Sequence, residues 1–292
     1  MIRNDTPSTS PPSEIAVKPL GALSTSSRGS SSNEGLYIPI APAFLLANAP
    51  VPVDFYRLNA EQRLELFLKA DSEVDSTVRR QVLEGTLRYS LYCAVADIPS
   101  VLKYQEEAIQ SILQHAFLDN RAKARAVYNF TMNLAKDTHD HPRPLNVYRI
   151  GEQISLTLDW MLSDEKKILP LLLGMSRKEY SNAAHAVNVG HLGMALALEL
   201  HGGKNVTDTL KTLAPGFFLH DVGKGFVRVD ILNKPGPLLE LEWVEMKKHP
   251  QYGNWFLERE KLLTPEARHI VLDHHERADG QGYPHAVPGS KI

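Results

Sequence analysis

From Pro99 to the C-terminus, apolar residues recur at helical spacing almost without interruption, and this feature constrains the fold more than any other. Leu145, Ile150, Ile154 and Leu158 are one such stripe. The spacing predicts helices near 99–116, 120–136, 143–163, 165–174, 177–200, 207–220, 238–248 and 264–275. Pro142 and Pro144 punctuate the second gap, His201-Gly202-Gly203 closes the 177–200 helix, and Thr264-Pro265-Glu266 opens the last one. There is no internal repeat and no heptad register, so the C-terminal two thirds reads as an all-α domain.

The region before Pro99 follows other rules. Residues 1–34 hold nine serines, three threonines and four prolines, which bury too little surface to offset their ordering entropy, and they read as a disordered tail. Tyr37–Ile40 is short and apolar, and 54–58 and 64–68 alternate around Asn59-Ala60-Glu61-Gln62 as a hairpin would. Asp75 or Ser76 can cap a short helix through Val78, Val82 and Leu83 that ends at Gly85, and Tyr89 to Val95 reads as another strand. The expected organisation is mainly α. A tail (1–34) leads to a small β-rich α+β adaptor or regulatory module (35–98), a helical linker region (99–174) and a helical domain (175–292). Nothing in the 35–98 module looks catalytic.

Composition narrows the function classes. With 43% hydrophobic and 23% charged residues, the chain of 292 residues is neither disordered nor fibrous. A net charge of −2 removes the electrostatic case for DNA, RNA or polybasic membrane binding. Cys93 is the only cysteine, which excludes an internal disulfide framework and fits a reducing compartment. No apolar run is long enough for a membrane span and no secretory core is visible, so a cytoplasmic protein is expected.

Histidine distribution points to chemistry. Nine of the 12 histidines lie beyond residue 180: His185, His191, His201, His220, His249, His269, His274, His275 and His285. Imidazole is the commonest metal ligand, so the C-terminal half is a candidate metal domain. In His220-Asp221-Val222-Gly223-Lys224 an imidazole and a carboxylate can each ligate a divalent ion, and the carboxylate can bridge two. Gly223 lets the chain leave the preceding helix, and Lys224 offers a cation to an anionic group. A His-Asp pair alone is a weak signal and more often marks a structural histidine. In His274-His275-Glu276-Arg277-Ala278-Asp279-Gly280-Gln281-Gly282-Tyr283-Pro284, paired rings can address two metals, Gly280 and Gly282 permit tight turns, and Pro284 stiffens the exit.

With Ile231-Leu232-Asn233-Lys234-Pro235-Gly236, Glu242-Trp243 and His249-Pro250 between them, these motifs resemble the HD-GYP family of the HD phosphohydrolase superfamily, over about residues 175–292. The resemblance implies an all-helical, metal-dependent phosphodiesterase of bacterial signalling that hydrolyses cyclic di-GMP to pGpG and in some cases GMP. Carried over by motif, His185, His220, Asp221, His249, His274 and His275 are metal ligands, with Asp221 bridging two ions, iron or manganese. Lys224 lies near the scissile phosphate. A hydroxide generated between the ions would attack in line. Glu276 and Asp279 are candidates to orient the ligand histidines. Gly280, Gly282, Tyr283 and Pro284 form a loop near the substrate or a partner surface. Partners other than cyclic di-GMP would be signalling proteins held by the N-terminal module or by the Gly-Tyr-Pro loop.

Three departures from the family pattern matter. Ser181 stands where some members carry a glutamate for a third metal, which favours a two-metal site. Arg228 replaces a proline, and Pro215 interrupts the helix before His220. The chain ends eight residues after Pro284, before the helices that in the family supply an aspartate ligand and phosphate-binding residues, so the domain reads as C-terminally incomplete. Alternatives therefore stay open: an HD phosphohydrolase for another cyclic dinucleotide or a phosphomonoester, or a non-catalytic protein binding metal and nucleotide. Of the remaining residues, His191 reads as structural or surface, His269 and His285 as surface, Trp243 as core, and His139-Asp140-His141 as a polar loop.

Overall fold

The computed structural model describes residues 37–87, 90–175, 181–201, 206–261 and 263–291; the 1–34 tail and the expected 202–203 helix end lie outside them. Four strands open the described chain: β1 (Tyr37–Ile40), β2 (Phe55–Leu58), β3 (Leu64–Leu68) and β4 (Leu91–Ala94). They form one antiparallel sheet in the order β1-β4-β2-β3. The β2–β3 hairpin turns where the sequence predicts, because Asn59 Oδ1 accepts from the backbone N–H of Glu61 and of Arg63. Helix α1 (Ser76–Leu83) starts under Asp75, whose carboxylate takes the N–H of Thr77 and Val78, and stops before Gly85 at φ +65°.

The helical part contains α2 (Ile98–Gln114), α3 (Asn120–Asp140), α4 (Pro144–Ser163), α5 (Glu165–Gly174), α6 (Asn182–His201), α7 (Val206–Leu219), α8 (Val229–Leu232), α9 (Glu240–Met246), α10 (His249–Arg259) and α11 (Pro265–Asp273). The sequence foresaw all of these except α8 and α10. Helix α10 hides behind His249-Pro250, where the proline is a helix opener rather than a breaker. Residues 35–292 cluster as one compact unit. The 99–174 stretch, for which the sequence predicts a linker, packs into that unit, with α3 against α2, α4, α5 and α6.

Sheet and helices share a core through a buried amide network. Asn129 of α3 accepts from Ala41 N–H at 3.0 Å and donates to the Pro39 carbonyl at 2.7 Å, while Gln105 of α2 donates to the same Asn129 oxygen. The Tyr104 hydroxyl donates to the Phe44 carbonyl at 2.7 Å. Such contacts offset the desolvation cost of burying Gln105 and Asn129 in this core. At its far end α3 runs past the predicted terminus. Residues 139–141 are therefore the end of a helix and not a polar loop, because Pro142, not the polar run before it, stops the backbone ladder. Asp137 takes Asn146 Nδ2 at 2.8 Å and fixes the α3–α4 corner.

Candidate metal centre

Five elements converge on one carboxylate. Asp221 follows α7 and leads into a single-turn 3-10 helix (Val222–Phe226), and its side chain is 1% exposed. His185 comes from α6, His220 from the end of α7, His249 from the start of α10, and His274 and His275 from the end of α11. Their nitrogens and the Asp221 oxygens form two clusters that share the aspartate, each with ligand atoms within 4.8 Å of one another. One holds Asp221, His249, His274 and His275; the other holds His185, His220 and Asp221. All six residues expected to be ligands are thus brought together.

Gly223 makes this approach possible. A Cβ there would stand 1.9 Å from the His249 carbonyl oxygen and 2.5 Å from Gly253 N, so only glycine lets the turn carrying Asp221 and Lys224 lie against α10. In the Gly-Tyr-Pro loop, a Cβ on Gly282 would stand 2.4 Å from Glu276 Cα.

The hydrogen bonds fix the tautomers. Nδ1 of His220, His249 and His274 lies 2.9, 2.8 and 3.0 Å from the carbonyl oxygens of Phe217, Met246 and Val271. A carbonyl only accepts, so each Nδ1 carries the proton and donates it. In a neutral ring Nε2 is then a bare acceptor. Two of those acceptors face each other, Nε2 of His249 and His274 at 3.2 Å, and Nε2 of His220 lies 3.1 Å from Nε2 of His185. They also face Asp221, with His249 Nε2 3.1 Å from Oδ1 and His220 Nε2 3.2 Å from Oδ2. Oδ1 nevertheless has no aligned hydrogen-bond donor among the described residues.

Lone pairs aimed at lone pairs repel unless a cation sits between them. Two nitrogens about 2.1 Å from one ion at roughly a right angle lie about 3 Å apart, matching the observed spacing. The residues therefore fit a divalent metal, and the clustered His/Asp groups could bind one.

Electrostatics agree. Burial lowers the pKa of His185 and His274 and takes His275 down to about 3, favouring neutral, ligating rings. Burial raises the Asp221 pKa, and donation from the Nε2 positions of His220, His249 and His274 would bring it below the usual carboxylate range; with those nitrogens unprotonated, a cation takes the place of those donors. Lys224 Nζ lies 2.7 Å from Asp221 Oδ2 and is the nearest fixed cation.

Other expected residues land differently. Glu276 does not orient a histidine ring: it accepts from the backbone N–H of His285, Ala286 and Val287 and staples the loop exit, while the Nδ1–H groups of His220, His249 and His274 are given to carbonyls. Asp279 pairs with Arg277 at 2.6 Å and takes the Gln281 N–H at 3.0 Å. Tyr283 stacks on His275 with centroids 4.5 Å apart, and burial raises its phenol to about 12. His269 and His285 are exposed and flank Asp273. His191 is buried between Tyr128 and Phe218. Trp243 is not core: it is 47% exposed and lines a cavity of about 860 Å³ beside His274 and His275. Glu240 and Lys247 line it too; the signal that could have found them was their helical spacing from Trp243.

A bundle of helices offering an adjacent His-Asp pair and three further histidine-bearing helix ends is an HD domain, and residues 182–291 match the family model described as HD domain. An HDG"Y"P protein from Bdellovibrio bacteriovorus has the same fold, at a TM-score of 0.57 and 18% identity over 88% of this chain and 82% of that one. A 3'3'-cGAMP-specific phosphodiesterase of Vibrio cholerae is 35% identical over 151 residues, half of this chain and 28% of that protein. A cyclic di-GMP phosphodiesterase of Pseudomonas aeruginosa is 32% identical over 63% of this chain and 42% of its own length. A cyclic di-GMP phosphodiesterase response regulator of Xanthomonas campestris is 32% identical over 57% and 47%. The chain thus spans less than half the length of these curated relatives. With the His-Asp and Gly-Tyr-Pro motifs it carries, the chain is similar to HD-GYP proteins over the region that matches the HD domain model, residues 182–291.

Proposed function

We propose that the chain is a metal-dependent phosphodiesterase that hydrolyses cyclic di-GMP to pGpG. The supporting observation is the convergence of unprotonated Nε2 atoms on the buried Asp221 carboxylate, beside Lys224 and at the edge of a cavity. In this reading His185, His220, Asp221, His249, His274 and His275 would hold two divalent ions, Asp221 being the residue that the two clusters share. Imidazole with one hard carboxylate and no thiolate suits borderline ions such as iron or manganese. When bound, the ions supply an activated water and charge neutralisation at the phosphoryl oxygens.

The chain's own groups do the rest. The carbonyls of Phe217, Met246 and Val271 keep the rings in the ligating tautomer. Lys224, whose ammonium lies 2.7 Å from Asp221 Oδ2, would offer its charge to the developing phosphoryl oxygens. The Glu276 staple and the close turn at Gly282 keep Tyr283 against His275 at the cavity wall.

Hydrolysis of 3'3'-cGAMP is the second reading, supported by the identity to the Vibrio protein of that specificity. Turnover of both dinucleotides by the anaerobically purified, iron- or manganese-loaded chain tests the proposal. Asp221→Asn should lose metal and turnover together, and Lys224→Ala should keep metal and lose turnover. Parental turnover by Asp221→Asn would sink the metal mechanism.

A further inference from the structure

Helix α9 has no buried residue. Its apolar side chains Leu241 and Val244 are exposed, at 83% and 53%. The helix is held at its start by Glu242, which accepts from Leu239 N–H and pairs with Lys234. The residues of α9 that line the cavity are Glu240 and Trp243, and Lys247 directly after it joins them. The positions i, i+3 and i+7 lie on one helix face and span about 10 Å. That face does not bury itself against the protein, so core packing does not explain it.

The charges in the cavity sort by what already occupies them. Glu276 is saturated by three backbone N–H groups, and Arg277 is taken by Asp279. Glu240 makes no hydrogen bond or ion pair among the described residues, and Lys247 meets only the Tyr283 ring face, 5.7 Å from its centroid. An unpaired carboxylate in the path of an anionic phosphodiester is unfavourable unless it meets hydrogen-bond donors. Guanine offers two side by side, N1–H and N2–H, which a carboxylate takes as a pair. Adenine offers an acceptor at N1 next to its N6 donor and would leave one carboxylate oxygen facing a lone pair.

We propose that α9 is the base-reading wall of the substrate site: Trp243 stacks a purine, Glu240 reads the Watson–Crick edge of guanine, and Lys247 meets the phosphate farther from the metal centre. This deepens the phosphodiesterase reading and rests on it for the placing of the substrate in this cavity. It makes guanine the base recognised next to His274 and His275.

The test is calorimetric titration of GMP and of AMP into the manganese-loaded full chain, with cyclic di-GMP turnover measured on the same preparation. The parent should bind GMP about tenfold or more tighter than AMP, the effect of charge-assisted hydrogen bonds. Glu240→Gln, whose amide offers one acceptor and one donor, should lower GMP affinity and raise AMP affinity, a gain that misfolding cannot produce. Trp243→Ala should weaken both ligands by similar factors, about fivefold or more for a lost stack. Equal binding of GMP and AMP by the parent, binding of neither, or an unchanged ratio in Glu240→Gln overturns the assignment. No turnover beside a guanine preference that Glu240→Gln reverses would sink the phosphodiesterase reading and keep the α9 assignment. Turnover beside equal binding would do the reverse.

Discussion

Replacing Gly223 by alanine isolates the contact on which the site geometry depends. The added Cβ would start 1.9 Å from the His249 carbonyl and 2.5 Å from Gly253 N, both backbone atoms, where real Cβ contacts stay beyond 3.0 Å. The Val222–Phe226 turn and α10 must therefore separate by about 1 Å, since no flexible side chain is there to yield. Overpacking of this kind costs about 3 kcal/mol, or roughly 6–12 °C in Tm for a chain of this size. The same shift opens the 3.1 Å approach of His249 Nε2 to Asp221 Oδ1. Metal affinity should fall about 10- to 100-fold, as when supporting contacts around a metal are lost. Gly151 in α4 is the control: nothing lies within 4 Å of its Cβ position, so Gly151→Ala should stabilise by about 1 kcal/mol. Thermal melts and metal content after dialysis read both variants. A Gly223→Ala protein that melts and holds metal like the parent would refute the reasoning.

Metal should stabilise the fold, because the apposed Nε2 acceptors of His249 and His274 repel without it: manganese at 100 times its Kd should add about 2.7 kcal/mol, read as a concentration-dependent Tm that chelator reverses. A Tm indifferent to metal would contradict the coordination geometry. His191 is buried with both ring nitrogens unpartnered among the described residues, and burial takes its pKa down to about 4. The unfolded chain then binds this proton below about pH 6.5 while the folded chain does not, so stability falls as pH drops from 6.5 toward 4, by about 3 kcal/mol in all. His191→Leu should flatten that part of the profile in pH-dependent denaturant melts; an unchanged slope would count against it. Ala286 sits at φ 51°, so Ala286→Gly should stabilise by about 0.5–1 kcal/mol in the same melts.

Much of this molecule was legible in one dimension because the forces involved are local. Helical apolar spacing, the Asp75 cap, the Asn59 turn and the Gly85 stop act within a few residues, and each reappears in the fold. The six residues that the motifs single out as candidate ligands, from His185 to His275, also come together in the fold, since residue type and order survive folding. Signals with two meanings misled: the polar 139–141 stretch reads as a loop, yet it is the end of a helix that Pro142 stops, and α10, opened by Pro250, was not foreseen.

Only tertiary structure decided which atoms face which. Ring tautomers follow from the carbonyls of Phe217, Met246 and Val271, and the role of Glu276 follows from three amides across the loop. An indole reads as core in any sequence, yet Trp243 borders the cavity because α9 buries none of its residues. The need for glycine at 223 lies in a carbonyl 26 positions away in the chain, on α10, which no local pattern encodes. Hydrophobic spacing selects helices; the direction of each lone pair depends on how those helices pack.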